Sequence, residues 1–386
     1  MAGNIKVNKL FLIGNGLDLA LGLKTSYSDF MFWLLKKQLF EAIKDYGWKY
    51  APEGYKKYND FLHQYDRIQV YGFSTNELFD IIIYQNYDLN ELKKIFNNFN
   101  NLNDILSFFN EDGNEIKIHF KYDRGLFGEI YNNSNLGWVD IEETYFQLLK
   151  EILNGDKKSS IVDLNFELEI ISQELKEYLL SLEIDLKLKV AEPFFKQFAS
   201  PVKSDEITNS GINFSDVKVE HLYFLNFNYT ETLSTILCGL GKEFKDYSIN
   251  NIHGSLEANE PIIFGYGDEM DEDYKKIENL KDNEFLKHIK SFQYFKNKNY
   301  RNLLRFLNSM PFQVCIYGHS CDISDRVMLN EIFENENCLS IKVYHYNGKS
   351  DFINKTMNIS RHFNSNKLMR EKIVEFNPEN EIPQIK

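Results

Sequence analysis

The sequence predicts an α/β fold: a Rossmann-type parallel sheet interrupted by a large, mostly helical insertion. Three observations carry this. Lys9–Ile13 (KLFLI) is a nearly continuous apolar run that ends in Gly14-Asn15-Gly16, a pattern suited to a strand buried on both faces and followed by a tight turn. Helical patterning then dominates residues 36–214. Apolar runs of strand length return only after residue 215.

The elements follow in order. After the glycine turn, Phe30, Trp33, Leu34 and Lys37 open a 3.6-residue pattern, so strand, turn and helix begin a doubly wound nucleotide-binding fold. Asn90–Phe109 and Leu164–Leu188 have helical periodicity and are separated by Asn- and Gly-rich turns. Ala199–Asp216 reads as a connection. His221–Phe227 (HLYFLNF) is a second buried strand, Thr230–Leu240 a helix, and Ser248–His253 a short extended segment. Pro311–Tyr317 (PFQVCIY) reads as a central strand and Ser340–Tyr346 (SIKVYHY) as the last one. Ser350 onward reads as helix, and the polar tail from Asn377 as loose. The expected organisation is a nucleotide-binding α/β domain from residues 1–35 and 215–386, with a helical insertion or lid at 36–214.

The chain has 386 residues, enough for a large core, and 43% hydrophobic with 26% charged residues is an ordinary globular balance. A formal net charge of −13 argues against broad nucleic-acid binding, which needs a basic face. Cys238, Cys315, Cys321 and Cys338 form no C-x-x-C pair, so reduced thiols and no zinc are expected. No apolar run reaches membrane-spanning length, and the N-terminus has no signal-peptide pattern. A cytoplasmic protein without a membrane partner is expected, as is a homo-oligomer.

The chemistry-bearing residues sit at predicted strand ends, where open α/β sheets bind ligands. Gly14, Asn15 and Gly16 allow close backbone approach to a phosphate at a helix start; a plain strand-to-helix turn explains them equally well. Asp18 would repel a phosphate but could cap a helix or hold a ribose hydroxyl. Asn228 can donate and accept together, to a carboxamide, ribose or water, or can cap the helix near Thr230. His253, flanked by Gly254 and Ser255, has an imidazole able to take a proton near neutral pH. Gly318-His319-Ser320-Cys321-Asp322 ends another strand. It suits a ribose or adenine contact or a helix cap, with His319 a second, less favoured base. Asp140 and Glu142, two apart in Trp138-Val139-Asp140-Ile141-Glu142, do not share a helix face and form a poor metal pair, though one of them could point into a site.

Taken together, these islands resemble the AbiH family of bacteriophage abortive-infection proteins. The resemblance runs from Leu12-Ile13-Gly14-Asn15-Gly16-Leu17-Asp18 and Thr25-Ser26-Tyr27-Ser28-Asp29-Phe30, through Trp138–Glu142, Phe227-Asn228-Tyr229-Thr230 and Ile252-His253-Gly254, to Tyr317-Gly318-His319-Ser320. The later motifs are also similar to those of sirtuin-like NAD-binding domains. That resemblance implies a sirtuin-like Rossmann fold, with Asn228 at the nicotinamide ribose, His253 as the catalytic histidine, and Gly318 with Ser320 on the adenosine side. Thr230 stands where that pattern has Asp, and the four-Cys zinc module is absent, which turns the expectation from protein deacetylation to simple NAD cleavage.

The resulting expectation is an anti-phage abortive-infection effector that hydrolyses NAD+ to nicotinamide and ADP-ribose, triggered by a phage product or a partner defence protein. Nicotinamide is a good leaving group, so the transition state is oxocarbenium-like and needs orientation and modest base help. His253 would be the base and Asn228 would hold the ribose. The Gly14–Gly16 turn would take the pyrophosphate. Asp18, Asp140 or Glu142 would steady the developing positive charge. Two rival expectations are a non-catalytic NAD or ADP-ribose sensor, and a metal-dependent nuclease assembled from Asp18, Asp140, Glu142 and Asp322.

Overall fold

The computed structural model describes residues 5–47, 49–50, 69–122, 124–133, 138–155, 160–182, 188–208, 217–238, 246–256, 262–267, 269 and 271–385. The chain forms two compact units, Met1–Thr25 with Leu179–Lys386, and Ser26–Tyr178.

The first unit is built on a five-stranded sheet. Its strands are β1 (Ile5–Ile13), β2 (Val217–Asn226), β3 (Tyr247–Asn251), β4 (Phe312–Tyr317) and β5 (Cys338–Val343). Their order is β5-β4-β1-β2-β3 and every pairing is parallel. The chain winds outward from β1 to β3, then returns to the other side of β1 for β4 and β5. The gap between β1 and β4 is therefore the topological switch point, where such sheets leave a crevice beyond the strand ends.

Side-chain alternation along each strand divides the unit into two cores. On one face Leu10, Leu12, Leu225, Val314, Ile316, Ile341 and Val343 pack with Leu303, Phe306, Leu329, Ile332 and Phe333 from helices Asn299–Leu307 and Arg326–Glu334. On the other, Phe11, Ile13, Phe224, Cys315 and Tyr317 pack with Leu17, Phe194, Phe198, Leu233 and Ile236 from helices Gly16–Ala20, Leu188–Phe198 and Thr232–Cys238. Burial on both faces is why these strands read as continuous apolar runs. The strands end nearly flush: Ile13 pairs with Asn226 and Asn226 with Asn251, while Leu12 pairs with Ile316 and Ile316 with Val343. Every loop that follows a strand thus starts from one edge.

Polar side chains also penetrate the interior of this unit from the sheet. Lys9 Nζ donates to Phe198 O at 3.0 Å and Ser200 O at 2.9 Å. Lys342 Nζ donates to Glu206 Oε1 at 2.7 Å, and Gln313 Nε2 donates to Glu206 Oε2 at 2.9 Å. These buried groups are tolerated because each charge meets a partner.

The C-terminal tail departs from expectation. Far from loose, it is held by Ile382 N–H donating to His345 O (2.8 Å) and His345 N–H donating to Asn380 O (3.0 Å), with Ile382 buried in the sheet's core. Two apolar side chains in a polar segment, Ile382 and Ile385, seat it on that core.

The second unit carries helices Tyr27–Ala42, Leu89–Asn98, Leu102–Asn110, Leu126–Asn132 and Trp138–Leu153, and most of Ile161–Ser181. Ser26 and Asp29 form a capping box on the first of these. The helically patterned run Asn90–Phe109 forms two helices that break in its Asn-rich turn at Asn97–Asn103, where Asn101 caps the second through Asp104 N–H at 3.1 Å. This unit also contains strands, which the helical reading lacked. Gly72–Thr75, Phe79–Ile83 and Ile116–Phe120 form an antiparallel sheet with Phe79–Ile83 at its centre. Aromatic and β-branched residues in a five-residue run (FDIII) favour strand over helix. Among the described residues, no helix is long and apolar enough to cross a membrane.

Candidate functional site

The sequence-selected residues of the first unit gather beyond the carboxyl edge of its sheet, in two neighbouring clusters. The first is the glycine turn. Gly14 N–H donates to Tyr317 O at 3.1 Å and Gly16 N–H donates to Gly318 O at 2.9 Å. A Cβ on Gly14 would lie 2.5 Å from His319 Cα, and one on Gly16 would lie 2.7 Å from Gly318 Cα. The glycines therefore let two loops meet backbone to backbone across the switch point. Both of these amides are spent on that contact, so neither is available as a phosphate donor in this arrangement. Asn15 is likewise internal: its side chain exchanges hydrogen bonds with Thr25 Oγ1 (2.6 Å) and Thr25 O (3.0 Å).

Asp18 lies just past the turn and is 1% exposed. Its Oδ2 accepts from Thr230 Oγ1 at 2.6 Å and its Oδ1 from Asn228 Nδ2 at 3.3 Å. Asn228 Nδ2 also donates to Gly14 O at 3.1 Å, and Thr232 Oγ1 donates to Thr230 Oγ1 at 3.1 Å. Burial pushes the Asp18 carboxyl up to about 6, against the opposing pull of Thr230, Thr232 and Asn228. Asn228 and Thr230 are thus brought onto Asp18, joining the loops after β1 and β2 through side chains.

The second cluster surrounds His253, which follows β3. His253 Nε2 stands 3.3 Å from Asp325 Oδ1 and 3.5 Å from the Tyr294 hydroxyl. Asp325 Oδ1 also accepts from Lys290 Nζ at 2.9 Å, and Asp325 Oδ2 lies 3.7 Å from His319 Nε2. The Phe227 ring faces both imidazoles, 5.1 Å from that of His253 and 4.0 Å from that of His319. Burial alone would raise the Asp325 carboxyl; Lys290 and His253 outweigh it and hold the group well below the usual carboxylate range. The arrangement is a histidine backed by an ionised carboxylate, the geometry that orients an imidazole for proton transfer.

Ser320 and Asp322 are engaged elsewhere in the first unit. Ser320 is exposed, and Asn358 Nδ2 donates to Ser320 O and Asp322 Oδ1, each at 3.1 Å. Glu142 is buried on helix Trp138–Leu153 of the other compact unit; the side chain of Asp140 lies outside the described residues.

Sequence reasoning passed over Asp325, Lys290 and Tyr294. Asp322 drew attention as the acid of the loop after β4, yet Asp325, three residues later at the start of helix Arg326–Glu334, is the one that turns to the histidines. Its position just beyond Gly318-His319-Ser320 was the available signal. Lys290 had none, because nothing in its local spacing marks a lysine that is 1% exposed.

The sequence matches the family model described as "Bacteriophage abortive infection AbiH" over residues 10–346. No curated protein and no solved structure matches it significantly. The matched span runs from the second half of β1 through β5 and includes the Asp18 cluster and the His253 cluster. The chain belongs to the AbiH family, which points to a role in bacteriophage abortive infection.

Proposed function

We propose that the protein is an abortive-infection effector acting as an NAD+ glycohydrolase on a sirtuin-like sheet. The observation that carries the reading is the contact between His253 and Asp325 at the carboxyl edge of a parallel sheet wound outward from β1 on both sides. In the proposed reaction the bond between C1′ of the ribose and the nicotinamide nitrogen breaks, and its electron pair leaves with neutral nicotinamide. A water oxygen bonds to C1′ and gives its proton to His253, yielding ADP-ribose. Asn228 orients the nicotinamide ribose, and Asp18 beside it is suited to a ribose hydroxyl. Gly14, Gly16 and Gly318 enter this reading as the close packing that seats the loops, rather than as amide donors to pyrophosphate. The Gly318–Asp322 segment is the proposed adenosine side. A phage product or partner defence protein is the proposed trigger.

The test is nicotinamide release from NAD+ by purified wild type and His253→Ala, with and without Mg2+, together with NAD+ levels in phage-infected cells expressing each. Release or depletion that disappears in His253→Ala is the expected result. Effective defence with unchanged NAD+ and no release in vitro would overturn the proposal, and a strict Mg2+ requirement would point to a nuclease.

A further inference from the structure

Asp325 is a carboxylate shared by donors from three separate segments. Lys290 precedes helix Asn299–Leu307, His253 follows β3, and His319 follows β4. All four side chains are buried. β3 and β4 are not neighbours in the sheet, so this one carboxylate spans the edge of the two strands between them.

The protonation of His319 is constrained independently. Cys321 N–H donates to His319 Nδ1 at 3.0 Å. A backbone amide only donates, so Nδ1 must carry a lone pair and the ring proton must sit on Nε2, facing Asp325. Cys321 adopts a left-handed φ of 55° to present that amide, a conformation unfavourable for a side-chain-bearing residue. Its carbonyl is in turn held by His362 Nε2 at 2.8 Å. For His253, the ionised Asp325 beside Nε2 makes the same demand. Lys290, bonded to the oxygen that His253 approaches, keeps Asp325 charged and fixes its position. The Phe227 ring packs against both imidazoles, and the carboxylate stands beside Nε2 of each.

We propose that Asp325 is a shared positioning residue that receives the Nε2–H of both His253 and His319: it orients His319, whose tautomer Cys321 N–H already sets, and it fixes the tautomer of His253, making Nδ1 the basic nitrogen of His253. That His253 acts as the base rests on the glycohydrolase reading; the tautomers do not. Asp325 thus orients two histidines at once, and no neutral residue of the same shape can replace it. In Asp325→Asn the amide NH2 must face either His319 or the Lys290–His253 side, setting donor against donor.

The experiment is long-range 1H–15N correlation spectroscopy of the full chain with 15N-labelled histidine at pH 8, where a free imidazole is neutral. The rings are assigned with His253→Gln and His319→Gln. The expected wild-type spectrum shows both rings neutral with the proton on Nε2, each with an observable Nε2–H resonance. Asp325→Ala loses both resonances, and the near-isosteric Asp325→Asn keeps at most one. Nicotinamide release is followed in parallel, with kcat in Asp325→Ala expected to fall at least tenfold while KM for NAD+ changes little. A wild-type His253 or His319 carrying its proton on Nδ1, an imidazolium at His319, or Nε2–H resonances that survive Asp325→Ala would overturn the proposal. The expected tautomers in a wild-type protein that releases no nicotinamide would support the positioning role and count against the glycohydrolase reading.

Discussion

Gly16 and Gly318 touch through their backbones: Gly16 N–H donates to Gly318 O at 2.9 Å, and no Cβ fits on either residue. On Gly318 a Cβ would lie 2.6 Å from Leu17 N, and its φ of +72° is left-handed. Gly348 offers a control, with a φ of +62° and nothing within 4 Å of its notional Cβ. Gly348→Ala should therefore cost only the left-handed penalty, about 1–2 kcal/mol. Gly318→Ala should cost that plus the displacement of a main-chain segment, with a drop in Tm at least about twice as large as for Gly348→Ala. Differential scanning calorimetry of the two variants measures this. Equal losses would mean that the two loops separate at no cost, and that the switch-point contact is incidental.

The raised Asp18 carboxyl makes stability depend on pH with a definite sign. Its folded-state value of about 6 lies above the ordinary 3.8, so the folded chain binds a proton more tightly than the unfolded chain. The stabilisation is fully present below about pH 4 and is lost as pH rises through about 6. The span of roughly two pH units corresponds to about 3 kcal/mol at most. Asp18→Asn cannot titrate, and its carboxamide can still meet Asn228 and Thr230. The stability of wild type relative to Asp18→Asn should therefore decline between pH 4 and pH 6 and level off above it. Parallel denaturant titrations at half-unit pH intervals test this; a difference that is flat or rises with pH would show that Asp18 is not held in the protonated form.

Asn228 serves two acceptors with one amide group, Gly14 O and Asp18 Oδ1. Asn228→Ala removes the donor from both; Gly14 O keeps Leu17 N–H at 3.0 Å, but the buried Asp18 Oδ1 loses its amide donor, a cost of about 1–3 kcal/mol. Asn228→Asp is expected to be worse above pH 6. It removes the same donor and sets a second carboxylate against Asp18 and the Gly14 carbonyl. The gap between the two variants should close as pH falls toward 4 and both carboxyls protonate. Tm measured at pH 4.5 and pH 7.5 for both variants tests this, the informative outcome being whether the gap depends on pH.

Much of this site was legible in the sequence, but unevenly. The Lys9–Ile13 run and the glycine turn marked β1 and its loop, because a strand buried on both faces leaves a continuous apolar signature. Asn228, His253 and His319 were visible as polar residues at the ends of similar runs. The partners were not visible. Gly14 and Gly16 fitted a phosphate turn and a plain strand-to-helix turn equally well, because a sequence reports that a Cβ is missing, and not what occupies the space; here it is Gly318 and His319. Asp325 and Lys290 are joined across 35 positions in a pairing set by the winding of the chain. Phe79–Ile83 was lost in an Asn-rich, helix-patterned region because five residues are too few to display a period.

The buried network around Lys342 and Glu206 gives a further expectation. Lys342 and Glu206 are both buried and 2.7 Å apart, and Gln313 donates to the second Glu206 oxygen. Burial pushes the Glu206 carboxyl up, but Gln313 and Lys342 outweigh it and hold the group below its ordinary value. A depressed folded value contributes stability above the ordinary glutamate range, and that contribution is lost as pH falls through the folded value. Glu206→Ala leaves the Lys342 ammonium without its carboxylate and should cost about 3–5 kcal/mol at pH 7. Adding Lys342→Met removes the stranded charge, so the double variant should recover much of the loss, because a buried ion pair adds little over an apolar pair of similar size. A thermodynamic cycle of the two single variants and the double, measured by urea unfolding at pH 7, resolves the coupling. Losses that simply add would mean that water reaches Lys342 and that the pair is not part of the packed interior.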